Sequence, residues 1–152
     1  MLRTLLTGLP VMFLCLILQA LFVTTHLRYY TRFGLAEKAR KSQWRQILLL
    51  STVMLLMLLS NLAQMAIWAV LFLLLGEFDD ASTALYHSAV NFVTLGYGDI
   101  VMTDRWRLLG PLEGVNGILM FGVSTAVMTA ALLDVAKQRT ANSGPPEGTE
   151  IS

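Results

Sequence analysis

The chain has 152 residues, of which 55% are hydrophobic and only 14% are charged, and its formal net charge is +1. Such an apolar composition excludes an ordinary soluble domain and indicates an integral membrane protein. The net charge is too small to attract nucleic acid, so no nucleic-acid partner is expected.

The first apolar stretch occupies residues 5–27. A helix of about 20 apolar residues crosses a bilayer of roughly 30 Å, so this stretch is long enough to span it. Arg3 precedes the stretch, as in a secretory signal peptide, but the apolar run is longer than a signal-peptide core and no convincing cleavage site follows it. We therefore predict a retained transmembrane helix.

A basic segment with a single acid, Glu37, follows at residues 28–45. Its basic residues are Arg28, Arg32, Lys38, Arg40, Lys41 and Arg45. Basic loops stay on the cytoplasmic side of a membrane, which places the N-terminus outside. We expect this segment to contact anionic lipid headgroups. Residues 1–45 are therefore predicted to form an N-terminal transmembrane helix and a cytoplasmic loop.

Two further apolar stretches, at residues 47–75 and 108–135, are also long enough to span a bilayer. By alternation the first of them runs outward and the second returns, so the C-terminus is predicted to be cytoplasmic. The chain is then a multi-pass protein of the cell membrane. The tail at residues 138–152 is too polar to bury a core, and we expect it to be disordered.

The segment between these stretches, residues 77–103, is too polar to span a membrane alone. Non-helical backbone at membrane depth must be surrounded by protein or by a watery cavity, which predicts a re-entrant loop. Residues 81–92 contain neither glycine nor proline, and we predict a short helix there with Asp79 or Asp80 as its N-cap.

The re-entrant loop contains the sequence Thr94-Leu95-Gly96-Tyr97-Gly98-Asp99. Because glycine adopts positive φ readily, alternating glycines can turn successive carbonyls to the same side. A row of such carbonyls can replace the water around a dehydrated cation. The sequence resembles the selectivity filter of the potassium-channel family, usually written T-V-G-Y-G-D, with Leu95 in place of valine. The resemblance covers about residues 45–137.

The resemblance implies an all-α integral membrane fold with three transmembrane helices, a re-entrant pore helix and a filter loop. It also implies a homotetramer, because one chain carries only one pore loop. The pore domain would occupy residues 46–137. Within it, the resemblance implies an outer helix at 47–75, a pore helix at 81–92, a filter at 94–99 and an inner helix at 108–135.

The resemblance further implies a role for each filter residue. The backbone oxygens that would coordinate potassium belong to Thr94, Leu95, Gly96 and Tyr97. Gly98 would open the outer mouth, and Asp99 would lie behind that mouth and accept a hydrogen bond from the pore helix. Tyr86 is a candidate donor to Asp99, although ordinary aromatic packing explains a tyrosine at this position equally well.

Three residues of the third apolar stretch are candidates for supporting roles. Glu113 either steadies the filter from behind the pore helix or extends its carboxylate to the outer surface. The first interpretation follows from Val90, which stands where some relatives carry a glutamate near the filter aspartate. Gly117 and Gly122 are each candidates for a gating hinge, and close helix packing is the alternative for both.

These residues favour a potassium-selective channel that conducts passively, with potassium as the permeant ion and without a cofactor or an enzymatic activity. Two alternatives remain open. A weakly selective cation channel is one, because Val93 and Leu95 depart from the family pattern. A non-conducting regulatory subunit that retains the pore fold is the other, although it has no need of an intact Gly96-Tyr97-Gly98.

Overall fold

Four helices make up most of residues 2–34 and 43–142, which are the part of the chain that the computed structural model describes. Their bounds are Leu2–Gly34 for α1, Gln43–Leu74 for α2, Ala81–Phe92 for α3 and Leu109–Asn142 for α4. These described residues contain no strand. The helices α1, α2 and α4 are long and apolar enough to cross a membrane. The predicted all-α membrane fold is therefore confirmed.

All three long helices continue beyond the apolar stretches that predicted them, and α2 begins at Gln43 rather than at residue 47. α1 extends to Gly34 and α4 extends to Asn142, so residues 138–142 are helical rather than part of the disordered tail expected at 138–152. Arginine, lysine and glutamine are good helix formers, and polar residues can therefore prolong a helix beyond the lipid. Residues 35–42 of the basic segment and the tail 143–152 lie outside the described residues, so lipid contact and disorder there stay predictions.

The short helix α3 packs against both α2 and α4. The helix α1 also packs against α2 and α4. The start of α3 is fixed by Asp80, whose side chain accepts a hydrogen bond from the backbone N–H of Thr83 at 2.8 Å. This bond satisfies one of the free N–H groups at a helix start. It also lowers the pKa of Asp80, which keeps the cap ionised.

An apolar core joins all four helices. Its fully buried members are Cys15, Trp68, Phe72, Phe92, Leu109 and Met120. Phe92 is the last residue of α3, and its ring packs edge-on against that of Phe121 with centroids 5.6 Å apart. The end of α3 is thereby enclosed by protein, as a re-entrant segment requires.

A buried polar cluster attaches α1 to the other long helices. We call it the three-helix cluster, and it consists of Gln19, Ser60, Asn61, Gln64 and Ser124. Gln19 Oε1 accepts hydrogen bonds from the Ser60 hydroxyl at 2.6 Å and from the Gln64 amide at 2.9 Å. Gln19 Nε2 donates to the Ser124 hydroxyl at 3.3 Å. Such bonds hold helices together where lipid offers no hydrophobic driving force between them.

Candidate functional site

The C-terminal end of α3 turns the chain into the predicted filter. Leu95 N donates to the Val90 carbonyl and Thr94 N donates to the Asn91 carbonyl, each at 2.9 Å. This pair of bonds is a Schellman motif, in which the residue after the helix cap adopts a left-handed conformation. Thr94 occupies that position with φ 62°. A β-branched residue is strained there by about 1–3 kcal/mol, and such strain is typical of functional sites.

The left-handed conformation recurs at every second residue of the predicted filter. The angle φ is 62° at Thr94, 56° at Gly96 and 74° at Gly98, whereas Leu95 and Tyr97 lie outside this region. Alternation of this kind turns successive carbonyls toward one side of the chain. A row of carbonyls on one side can act as a ladder of cation ligands.

The C-terminal end of the predicted filter and the loop after it are tied to α3 and to the turn before α3. The Tyr86 hydroxyl donates to Asp99 Oδ2 at 2.8 Å, and this hydrogen bond raises the pKa of Tyr86, so the phenol keeps its proton. The Glu77 carboxylate accepts from both the backbone N–H and the hydroxyl of Thr103, each at 2.7 Å. The loop after the filter is therefore fixed to the pore helix and to the turn before it.

Glu113 faces the pore helix rather than the outer surface. Its side chain is fully buried. The Ser88 hydroxyl lies 2.5 Å from Glu113 Oε1 and 2.7 Å from the Met65 carbonyl oxygen, so Ser88 bridges α4 and α2. The alternative that placed the carboxylate at the outer surface is excluded by this burial.

A second pair of polar side chains lies beside Ser88 on the same helix. His87 Nδ1 is 3.0 Å from the Ile100 carbonyl oxygen, and His87 Nε2 is 2.8 Å from the Asn91 amide nitrogen. We call His87, Ser88, Asn91 and Glu113 the rear cluster. These residues belong to α3 and α4 and lie behind the predicted filter. Spacing along the sequence gives no signal for these contacts of His87, because it reveals neither the partner nor the orientation of the ring.

The two glycines considered as hinges have different surroundings. A methyl group at Gly117 would overlap the Phe92 carbonyl oxygen, so glycine is required there for α4 to approach the end of α3. Among the described residues, no atom lies within 4 Å of a methyl group placed at Gly122. Close packing accounts for Gly117, and a hinge at either glycine stays a prediction.

Comparison with known families identifies the pore region. The family model described as "Ion channel" matches residues 47–134, which is more than half of the chain. The matched range contains α3, the predicted filter and most of α2 and α4, and it leaves out α1. Neither a curated protein nor a solved structure matches the chain. The chain belongs to the ion-channel family.

Proposed function

We propose that the chain is one subunit of a potassium-selective channel in which four copies surround a central pore. Ions would pass down their gradient between the four filter strands, where backbone oxygens replace the hydration shell. The ligands would be the carbonyls of Thr94, Leu95, Gly96 and Tyr97, together with the Thr94 hydroxyl.

The alternating backbone of the filter carries this proposal. Left-handed φ at Thr94, Gly96 and Gly98 supports a strand whose carbonyls share one side. The strain at Thr94 also supports it, because a glycine would relieve that strain but would remove the hydroxyl. A non-conducting protein gains nothing from this arrangement.

Exposed side chains near the filter support assembly. In a single subunit the side chains of Leu95 and Tyr97 are 56% and 67% exposed. Contiguous exposed apolar surface marks a contact with protein or with membrane. Packing of Tyr97 against a neighbouring subunit would cover its ring and brace the filter from the side.

The charge distribution supports one orientation in the cell membrane. Arg28 near the end of α1 and Lys137 near the end of α4 would be cytoplasmic by the positive-inside rule. The acids Asp79, Asp99 and Asp104 would face outward with the filter entrance. Labelling of single introduced cysteines by a membrane-impermeant reagent tests this orientation.

Replacement of Gly96 by alanine tests the filter. A methyl group at φ 56° would strain the backbone by about 1–2 kcal/mol per subunit and would turn one ring of carbonyls away from the ion. We expect Gly96→Ala to abolish potassium flux into liposomes. Assembly should be retained, because within a single subunit no described atom lies within 4 Å of the added methyl group, so the subunit's own fold is undisturbed.

Gly76 supplies a matched control for this experiment. It has φ 72° and equally open surroundings, but it lies in the turn between α2 and α3. Gly76→Ala therefore introduces similar strain outside the filter and should conduct like the wild type. Equal loss of flux in both variants, or wild-type flux in Gly96→Ala, would contradict the filter assignment.

A further inference from the structure

One imidazole ring joins the two ends of the filter. Asn91 precedes the filter residues 94–99 and Ile100 follows them. His87 contacts the Asn91 side chain through Nε2 and the Ile100 carbonyl through Nδ1. Because the ring is rigid, these two contacts fix the separation of the filter ends from behind.

The two partners define where the ring carries its proton. A carbonyl oxygen only accepts, so Nδ1 bears the proton and donates to Ile100. An amide nitrogen only donates, so Nε2 bears no proton and accepts from Asn91. His87 in this arrangement is therefore a neutral imidazole with its proton on Nδ1.

The surroundings of the ring favour this neutral form. His87 is only 6% exposed, and its ring packs against Phe72 and Phe78 with centroids 5.5 and 4.9 Å apart. Burial lowers the pKa of His87 below its ordinary value of 6.5, and the Ile100 carbonyl opposes this shift. The bond to Asn91 is therefore fully present above about pH 6.5 and is lost as the pH falls through the lowered value.

We propose that neutral His87 is a positioning residue for the filter, and that a proton arriving at its Nε2 from the outer side reduces conduction. This inference rests on the proposed channel function. A protonated Nε2 would point a donor at the donor amide of Asn91, so the Asn91 side chain would have to turn over. That side chain is confined, because a methyl group at Gly110 would lie 3.3 Å from its nitrogen.

The disturbance would reach the first residue of the filter directly. The backbone carbonyl of Asn91 accepts the hydrogen bond from Thr94 N in the Schellman motif. Displacement of Asn91 would therefore loosen the turn that sets the left-handed conformation of Thr94. The innermost ligand ring of the proposed filter would lose its position.

We call the link that His87 makes between Asn91 and Ile100 the brace. Charged side chains lie on its outer side. A cavity of about 220 Å³ is bordered by His87 and Asn91 and also by the exposed Asp99 and Arg107, which gives external protons a route to the ring. The charges of Asp99 and Glu77 act on His87 and favour its protonation. The other titratable groups next to the brace are Tyr86, which is bonded to Asp99, and Glu113, which interacts with Asn91.

Two replacements of His87 separate its role in positioning the filter from the effect of its protonation. Glutamine offers one donor to Ile100 and one acceptor to Asn91 but does not titrate, whereas phenylalanine keeps the ring packing and makes neither bond. Potassium flux would be measured with external pH stepped from about 7.5 to about 5, the range in which histidine titrates. We expect the wild type to lose flux about fivefold. This is the change in the equilibrium between conducting and non-conducting states that follows the loss of one hydrogen bond of average strength.

Each variant has its own expected result. His87→Gln should conduct at neutral pH and keep its flux in acid, and His87→Phe should conduct poorly at every pH. His26, the other histidine of the chain, supplies the control, since His26→Gln should remain acid-sensitive like the wild type. Normal flux in His87→Phe would overturn the positioning role. Full acid inhibition of His87→Gln would overturn the role of its proton.

A readout without ion flux keeps this inference separate from the channel function. Nitrogen NMR of the imidazole in membrane-reconstituted wild type should show the neutral form with the proton on Nδ1 at neutral pH. It should show a second proton on Nε2 only in acid. A ring protonated on Nε2 at neutral pH would overturn the proposed brace even in a conducting channel. The expected tautomer in a protein without potassium flux would instead contradict the proposed function.

Discussion

The rear cluster and the three-helix cluster are both groups of buried and half-buried polar side chains in an apolar protein, but they connect different elements. The rear cluster ties α3 and the loop after the filter to α4, and all of its residues lie in the family range 47–134. The three-helix cluster attaches α1, which lies outside that range. If the proposed function holds, the polar contacts beside the filter position the conducting backbone, whereas those at Gln19 attach an additional helix to the family range.

The largest effect is expected where α4 touches the end of α3. Gly117→Ala would drive a methyl group into the Phe92 carbonyl, and such overpacking costs about 1–3 kcal/mol or more per subunit. We expect loss of stable assembly, measured by size-exclusion chromatography in detergent and by thermal unfolding. Gly122→Ala, with open surroundings, should assemble normally. Normal assembly of Gly117→Ala would show that the contact between α3 and α4 is wrongly placed.

A smaller effect is expected from Glu113, within the rear cluster. Glu113→Ala leaves the Ser88 hydroxyl without its bridge to α4, at a cost of roughly 1–3 kcal/mol per subunit. Single-channel recordings should show shorter openings or weaker selectivity. Glu113→Gln retains most of the hydrogen bonding and should conduct. Wild-type gating of the alanine variant would remove Glu113 from filter support.

Replacement of Gln19 tests the three-helix cluster. Gln19→Leu removes the acceptor shared by Ser60 and Gln64, and an interhelical hydrogen bond in a membrane contributes about 0.6 kcal/mol. Thermal stability should fall slightly while potassium selectivity is unchanged. Thr24→Val is a control on the same helix, because the Thr24 hydroxyl donates to the Leu21 carbonyl within α1. A change of selectivity in Gln19→Leu would show that α1 takes part in conduction.

The smallest effect is expected at the exposed outer end of the filter. Tyr86→Phe keeps the ring and removes the hydrogen bond to Asp99, which is exposed and therefore contributes little to stability. We expect a modest acceleration of inactivation in long recordings, with selectivity retained. Tyr86→Ala should behave similarly if only the hydroxyl matters, and a much larger defect there would indicate that the ring packs against a neighbouring subunit.

Local patterns made most of the fold predictable. The apolar runs gave the three long helices, and the glycines gave the left-handed conformations at 96 and 98. The direction of Glu113 toward the pore helix also agrees with the interpretation based on Val90. Its partner Ser88 was not predicted, because a serine in a helix gives no signal of what lies opposite.

The two polar clusters depend on how the helices are rotated and shifted against one another. Gln19, Ser60 and Gln64 interrupt apolar runs, and that interruption was the available signal for the three-helix cluster. The Ser124 hydroxyl accepts a hydrogen bond from Gln19 of α1, and its position on α4 alone does not reveal this partner. The link from His87 to Ile100 requires the chain to fold back after the filter, which no spacing along the sequence reveals.

The permeability of the wild-type protein for potassium relative to sodium tests the central claim most directly. Purified protein would be reconstituted in planar bilayers with potassium on one side and sodium on the other, and the reversal potential would be measured. A filter built from the alternating backbone at Thr94, Gly96 and Gly98 predicts a strong preference for potassium. A reversal potential near zero, or the absence of current from assembled protein, would contradict a potassium-selective pore.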